Sequence, residues 1–218
     1  MGGFTLGGDM REVGLKNNDD FSPDLYESKQ HLFEIRRLSP TIGAELLGVD
    51  LNQEISDELK DDIYQALLVY KVIFFRDQEI DTEQHMKFAR LFGDLEIHPF
   101  ATNDVDNPEV LKITHDEKSK GRENTWHSDV TWRLKPSLGS ILKMVQKPDH
   151  GGDTLFADMY AVYDNLPEDV KERLEGQVAV HDFANFRKGL VKKGLSQEEI
   201  EKVNQKFPNP EHPVIRTH

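Results

Sequence analysis

His127 and Asp129 are the two residues of this sequence whose types and spacing best suit metal chemistry. They lie in the run Trp126-His127-Ser128-Asp129-Val130-Thr131-Trp132, whose aromatic and β-branched residues favour a strand. Side chains two apart in a strand project to the same face, so we expect the imidazole and the carboxylate to lie side by side. Such a pair supplies two of the three ligands of a 2-His-1-carboxylate site, which leaves positions open on Fe(II) for oxygen and a cosubstrate.

The spacing of this pair is weak evidence when it is taken alone. A chain of this composition contains roughly one His-x-Asp by chance, and the pair could equally be two polar side chains on a solvent-facing strand. A second pair of the same spacing, His115-Asp116-Glu117, continues directly into a charged segment. We expect this second pair to lie in a solvated loop and to bind no metal.

Three segments in the same order resemble the taurine dioxygenase family, which also contains alkylsulfatase and phenoxyacetate dioxygenases. They are Trp126 to Thr131, Gly151-Gly152-Asp153-Thr154, and the motif from His212 to His218. The likeness extends from Leu32 to His218. It implies an Fe(II)- and 2-oxoglutarate-dependent oxygenase in which His127 and Asp129 bind the iron.

The resemblance also implies roles for residues outside the iron pair. The Thr154 hydroxyl would bind a carboxylate of 2-oxoglutarate, although a Gly-Gly-Asp-Thr run can also be a plain turn before a strand. His98 would reach the anionic head of the substrate, although a His before a Pro can be a simple polar strand edge. Val130 and Trp132 would line the substrate pocket, whereas strict strand alternation turns Thr131 towards the metal.

The third iron ligand has no clear candidate in this sequence. The family places that His, and an Arg that pairs with the distal carboxylate of 2-oxoglutarate, beyond the motif that ends at His218. The candidates within the chain are His150, His181, His212 and His218. We therefore expect the chain as given to turn over no 2-oxoglutarate and to self-associate as a homo-oligomer.

Periodicity and turn residues predict an alternation of short strands and helices. Strands are expected at 32–35, 44–49, 72–75, 95–100, 110–113, 126–132, 140–145, 154–157 and 177–183. Helices are expected after the capping residues Ser56, Asp81, Asp158 and Ser196, and from Pro167. The helix–strand–helix at 56–92 could belong to a parallel α/β sheet. The resemblance instead implies an α+β fold, a double-stranded β-helix (jelly-roll) with flanking helices that lacks its C-terminal part.

Composition is consistent with one globular domain. We expect residues 1–30 to form a loose arm and residues 31–218 an oxygenase domain that is incomplete at its C-terminus. A net charge of −13 with scattered cations argues against a nucleic-acid surface. The chain has no cysteine, which excludes disulfides and thiolate metal sites. Without a signal peptide or an apolar run of membrane length, we expect no membrane contact and a cytoplasmic location.

The activity implied by the resemblance is hydroxylation of a carbon next to a sulfonate, sulfate-ester or ether group. O2 and 2-oxoglutarate are consumed, and succinate and CO2 are released. The residues that follow His98 are Pro99, Phe100 and Ala101, without the Tyr of taurine dioxygenases, so a longer alkyl sulfonate or a sulfate ester is expected in place of taurine. The alternative is a catalytically inactive, oxygenase-like binding protein or fragment that lacks the distal His and Arg.

Overall fold

The computed structural model describes residues 2–7, 23–99, 104–116, 125–182, 189–191 and 194–217. The helices of these residues are α1 (Pro23–Glu27), α2 (Asp57–Tyr70), α3 (Thr82–Arg90), α4 (Met159–Asp164), α5 (Glu168–Leu174) and α6 (Gln197–Lys206). The strands are β1 (Gly2–Gly7), β2 (Glu34–Arg37), β3 (Ala44–Leu47), β4 (Ile73–Phe74), β5 (Asp94–Leu95), β6 (Leu111–Lys112), β7 (Gly139–Lys143), β8 (Val178–Val180) and β9 (Glu211–Pro213). No helix in this described part of the chain is long and apolar enough to cross a bilayer.

Strand β1 is the centre of an antiparallel sheet. Its residues 2–6 pair with β7, with Gly2 opposite Lys143 and Leu6 opposite Gly139. Its two ends pair on the other side with β6 and β5. This sheet carries Ser140, on β7, towards the segment that contains His127 and Asp129.

A second sheet has the order β2-β3-β4, and α2 connects its parallel pair β3 and β4. The pairing of β3 with β4 makes a local β-α-β unit with parallel strands. Such parallel pairing is the alternative that the helix–strand–helix pattern of residues 56–92 allowed. Glu45 of β3 is buried at 2% exposure. Its carboxylate is neutralised by Arg36 and by Arg76, whose Nε lies 2.6 Å from Oε1, because an unpaired charge is costly to bury.

The main hydrophobic core lies between α2 and this second sheet. Ile63, Ala66 and Val69 of α2 are each at most 1% exposed and pack with Ala44 and Leu46 of β3. The i, i+3 and i+6 spacing of the three α2 residues is the spacing of one helix face. A smaller cluster under α3, formed by Met86, Ala89 and Val110, meets the first sheet through Ile141 of β7.

A third element is the antiparallel pair β8 and β9, in which Ala179 lies opposite His212. Two further backbone hydrogen bonds extend the pairing of β8 with β9, from His181 N–H to Pro210 O and from Val214 N–H to Gln177 O, both at 2.9 Å. Among the described residues the three sheets are small and separate, and by themselves they do not trace a double-stranded β-helix.

The helices predicted from capping residues are confirmed. Ser56 accepts a hydrogen bond from Leu59 N–H at the start of α2. Asp81 and Ser196 form capping boxes with Gln84 and Glu199. Asp158 caps α4, and α5 follows Pro167 directly.

Several of the strand predictions are wrong, and two segments of the expected N-terminal arm have regular secondary structure. Gly2–Gly7 is a paired strand and Pro23–Glu27 a helix with Tyr26 buried, whereas residues 8–22 lie outside the described residues. The predicted strands at 126–132 and 154–157 are turn and irregular backbone. The strand at 72–75 is half-buried and shrinks to two residues. The predicted strand at 95–100 is reduced to Asp94–Leu95. Phe100 and Phe183, the last residues of the predicted strands at 95–100 and 177–183, lie outside the described residues.

Candidate metal and substrate site

His127 and Asp129 lie side by side even though no strand carries them. His127 is in irregular backbone, and Asp129 begins a turn that runs to Trp132. The Nε2 atom of His127 is 3.4 Å from Oδ1 of Asp129, and both side chains are about three-fifths exposed. The expected pairing is therefore present, but a turn produces it and strand alternation does not.

Hydrogen bonds orient both members of this pair. Nδ1 of His127 lies 2.9 Å from the carbonyl of Thr125, and since a carbonyl only accepts, Nδ1 carries a hydrogen, which in the neutral imidazole leaves the lone pair on Nε2. Ser140, on β7, donates its hydroxyl to Oδ2 of Asp129 at 3.1 Å. Partners of this kind are what fix the tautomer and direction of metal-binding side chains.

The geometry of the pair fits a shared metal ion. A lone pair and a carboxylate oxygen facing one another are favourable only with a cation or a proton between them. An ion about 2.1 Å from each atom would separate them by about 3.0 Å at a right angle and about 3.4 Å at a tetrahedral angle. In the part of the chain that the structure describes, no group of three or more His, Cys, Asp or Glu side chains could hold a metal. The pair therefore supplies two ligands and no more.

The turn after Asp129 is closed by a hydrogen bond from Arg133 N–H to Val130 O at 3.0 Å. Val130 is 9% exposed and has a φ of +48°. This conformation is unfavourable for a β-branched residue, so the surrounding contacts must hold the turn in place. It also turns Val130 inward, next to the metal pair.

An aromatic group lies beside this turn. The rings of His98 and Trp132 are 5.9 Å apart and nearly perpendicular. Phe207, just after α6, packs edge-on against Trp132 with ring centroids 5.5 Å apart, and the Arg133 guanidinium lies 4.8 Å from the centre of the Trp132 ring. The structure thus brings together His98 and Trp132, two of the three residues predicted for the substrate, and Val130 is buried in the same turn as Trp132.

The charge around His98 is partly balanced. Burial lowers the pKa of His98, with Arg133 lowering it further, while Glu96 and Asp129 act in the opposite direction. Arg133 pairs with Glu96, whose other oxygen accepts a hydrogen bond from Ser137 at 2.8 Å. Because Arg133 forms an ion pair with Glu96, its positive charge is largely neutralised within the protein.

Thr154 is exposed and lies in irregular backbone, and no hydrogen bond joins it to the metal pair among the described residues. Gly152 before it has a φ of +73°, a conformation that favours glycine, and a Cβ there would meet Pro148 at 3.4 Å. The segment is anchored further along, where Phe156 packs edge-on against Phe74 at 6.4 Å. The cosubstrate role of Thr154 stays a prediction.

None of the candidate third ligands that the structure describes forms a three-residue metal group with the pair. Nε2 of His212 lies 2.9 Å from Thr131 O and 3.0 Å from Arg133 O, so it acts as a hydrogen-bond donor. His181 packs edge-on against the His212 ring at 4.7 Å. His150 is exposed, and His218 lies outside the described residues, as does Glu117 of the second His pair. His115 and Asp116 are exposed and irregular, as expected for a loop.

Comparison with known proteins decides the family. The profile described as "Taurine catabolism dioxygenase TauD, TfdA family" matches residues 34–218. The chain belongs to this family. An alkylsulfatase from Acinetobacter baylyi is 36% identical over 191 residues, which cover 85% of this chain and 59% of the relative. An alpha-ketoglutarate-dependent sulfate ester dioxygenase from Pseudomonas putida is 34% identical over 194 residues, with coverages of 85% and 62%.

A solved structure of AAD-2 in complex with Mn(II) and N-oxalylglycine superimposes with a TM-score of 0.61 at 27% identity. The match covers 85% of this chain and 65% of that one. The chain therefore spans about three fifths of the length of the curated relatives just named. The family membership predicted from the three motifs is confirmed.

Sequence reasoning missed Glu96, Arg133 and Phe207 beside the turn after Asp129, and it named His212 only as a candidate iron ligand, whereas the structure shows it bound to backbone carbonyls of the turn. Arg133 could have been noticed because it directly follows Trp132. Phe207 and His212 lie about 75 to 80 residues away along the chain, and no local pattern connects them with this turn.

Proposed function

We propose that this chain forms the iron- and substrate-binding part of a 2-oxoglutarate-dependent dioxygenase. The reaction hydroxylates the carbon next to a sulfate-ester, sulfonate or ether group and releases succinate and CO2. The observation that carries the proposal is the 3.4 Å approach of His127 Nε2 to Asp129 Oδ1, together with the contact of His127 Nδ1 with the Thr125 carbonyl. Family membership supports the same reaction class.

His127 and Asp129 would hold Fe(II), which when bound supplies the activation of O2 that no amino-acid side chain can provide. The protein's own contribution is orientation. Thr125 fixes the imidazole tautomer, and Ser140 leaves one carboxylate oxygen free to bind the metal. Their placement in advance lowers the cost of assembling the site.

Thr154 would bind a carboxylate oxygen of 2-oxoglutarate through its hydroxyl. The name of the Pseudomonas putida relative states dependence on alpha-ketoglutarate, which is 2-oxoglutarate, and the AAD-2 structure holds the analogue N-oxalylglycine. Gly151 and Gly152, both at a φ of +73°, give the backbone the freedom to bring this hydroxyl to a ligand.

The substrate would lie against His98, Val130 and Trp132. Since burial lowers the pKa of His98, its imidazole is neutral at pH 7 and can donate an N–H to an anionic oxygen of the substrate. Val130 and the Trp132 ring offer apolar surface for the carbon chain beside that head. An anionic head next to apolar surface suits an alkyl sulfate ester or a longer alkyl sulfonate better than it suits taurine.

We further propose that residues 31–218 belong to one oxygenase domain with a double-stranded β-helix, and that the protein forms homo-oligomers. The AAD-2 similarity supports this fold for the chain. Strands β5, β6 and β7 and the pair β8–β9 would be parts of the two layers, with β1 added to the sheet from the N-terminal arm.

Ligand binding under anaerobic conditions tests the proposal. N-oxalylglycine is titrated calorimetrically into the chain with and without Mn(II), followed by hexyl sulfate or taurine. We expect N-oxalylglycine to bind only with the metal, and hexyl sulfate to bind more tightly than taurine. Binding that is independent of the metal would contradict the proposal. Metal-dependent binding, together with no succinate formed from 2-oxoglutarate when Fe(II) replaces Mn(II) in air, would favour the inactive binding protein.

A further inference from the structure

His212 makes a long-range contact with the turn that follows the metal pair. It lies on β9, 8% exposed, and its Nε2 is 2.9 Å from Thr131 O and 3.0 Å from Arg133 O. Seventy-nine and 81 residues separate it from these two partners. A buried polar side chain that spans such a distance along the chain fixes the relative position of two segments.

The direction of this contact follows from its partners. Both are backbone carbonyls, which only accept, so the Nε2 of His212 must carry a hydrogen and share it between the two oxygens. The same hydrogen prevents Nε2 from binding a metal. His212 therefore supports the site through the backbone of the turn.

The turn needs outside support. Val130 is held at a φ of +48°, which a β-branched residue rarely adopts. Asp129, immediately before it, is exposed, and its carboxylate is oriented by the single hydrogen bond from Ser140 together with its approach to His127. Displacement of the Thr131 and Arg133 carbonyls would therefore move Asp129 with them.

A second contact joins the same two segments. Phe207, five residues before His212, packs edge-on against Trp132 at 5.5 Å. The segment from Phe207 to His212 thus contacts the turn at its backbone and at its aromatic side chain. This segment is itself secured to β8 by the hydrogen bond from His181 N–H to Pro210 O.

We propose that His212 is a positioning residue that sets Asp129 for metal binding and Trp132 for the substrate. The role rests on the proposed function, because it assumes that Asp129 binds a metal. Loss of a hydrogen-bonding partner behind a metal ligand typically lowers metal affinity by about ten- to a hundredfold. His212 acts one step further away, so we expect about a tenfold loss in His212→Ala.

Two readouts test this role. Anaerobic Fe(II) titration gives the dissociation constant. The sequence contains two tryptophans, Trp126 and Trp132. The fluorescence emission of Trp132 is therefore measured in a Trp126→Phe background. His212→Gln keeps an N–H donor near the Nε2 position and should restore the Fe(II) affinity to within about threefold. Ile200→Ala removes a buried contact of α6 and controls for destabilisation of the same segment without touching the hydrogen bond.

The expected result is weaker Fe(II) binding and red-shifted Trp132 emission in His212→Ala, rescue in His212→Gln, and an Fe(II) affinity within about twofold of wild type in Ile200→Ala. Equal losses in His212→Ala and Ile200→Ala, or no rescue by Gln, would overturn the positioning role. A wild-type chain that binds no Fe(II) would contradict the proposed function itself. Unchanged binding in His212→Ala would contradict only the role of His212.

Discussion

The hydroxyl of Ser140 donates a hydrogen bond to Oδ2 of Asp129 at 3.1 Å. Ser140 belongs to β7, which pairs along its length with β1, so the bond links the regular sheet to the turn that carries a metal ligand. It leaves Oδ1 directed at His127. The sheet therefore holds in position a carboxylate whose own segment has no regular secondary structure.

Ser140→Ala should weaken Fe(II) binding by about three- to tenfold, because the carboxylate loses the partner that selects which oxygen faces His127. The measurement is an anaerobic Fe(II) titration. Ser128→Ala provides the matched control, since Ser128 is exposed and adjacent to both ligands, and it should bind as wild type does. An Fe(II) affinity of Ser140→Ala equal to that of the wild type would show that Ser140 does not orient Asp129 for metal binding.

Lys71 and Asp158 anchor the segment that contains Thr154. Nζ of Lys71 lies 2.9 Å from Oδ2 of Asp158, a carboxylate that is 6% exposed. Burial alone would raise the pKa of Asp158, but the Lys71 ion pair and the N–H groups of Ala161 and Tyr160 outweigh it and lower the pKa. We expect Lys71→Met to lower the free energy of unfolding at pH 7 by about 1 to 2 kcal/mol, less than a fully buried pair would cost, because Lys71 is a quarter exposed.

This ion pair also predicts a pH dependence. Since the folded-state pKa of Asp158 is lowered, its contribution is present above the unfolded value near pH 4 and is lost as the pH falls through the folded value. Urea unfolding between pH 7 and pH 3 should show a shallower loss of stability below about pH 4 in Lys71→Met than in wild type. In the double variant Lys71→Met with Asp158→Asn, the losses should not add. Fully additive losses would show that the pair contributes nothing.

Thr154→Val removes a hydroxyl while keeping the shape of the side chain. We expect the dissociation constant of N-oxalylglycine for the Mn(II)-loaded chain to rise by roughly tenfold, the worth of one hydrogen bond to a charged group. Thr154→Ser, which retains the hydroxyl, is the matched control and should bind within about threefold of wild type. Equal affinities of Val and Ser variants would refute the cosubstrate role.

Local signals in the sequence predicted the helices correctly. Ser56, Asp81 and Ser196 each satisfy backbone N–H groups within three residues of themselves, so the capping information is contained in the segment. The same locality made the site pair recognisable, because His127 and Asp129 are two residues apart in any conformation. Their side chains lie side by side as predicted, but a turn brings them together and not the predicted strand.

The turn at 129–133 could not be predicted from its own residues. Val130, Thr131 and Trp132 have high strand propensity, and nothing local signals a positive φ at Val130. Distant contacts override that propensity, since His212 binds two carbonyls of the turn and Phe207 packs on Trp132. Strand propensity reflects packing context more than backbone preference, and here the context comes from about 80 residues further along.

Strand β1 escaped prediction for a related reason. Gly2–Gly7 contains three glycines and lacks the alternation that predicts a strand. Its pairing is supplied by β5, β6 and β7, which approach it from distant parts of the chain. Partner strands therefore define this element, and its own sequence does not.

We propose above that His127 and Asp129 bind Fe(II) together. Anaerobic Fe(II) titration of the wild type, His127→Ala, Asp129→Ala and His115→Ala tests it most directly, with His115→Ala as the control from the second His pair. We predict saturable binding at one site in the wild type and in His115→Ala, and loss of that binding in both His127→Ala and Asp129→Ala. Fe(II) affinity equal to that of the wild type in either of those two variants would contradict the account.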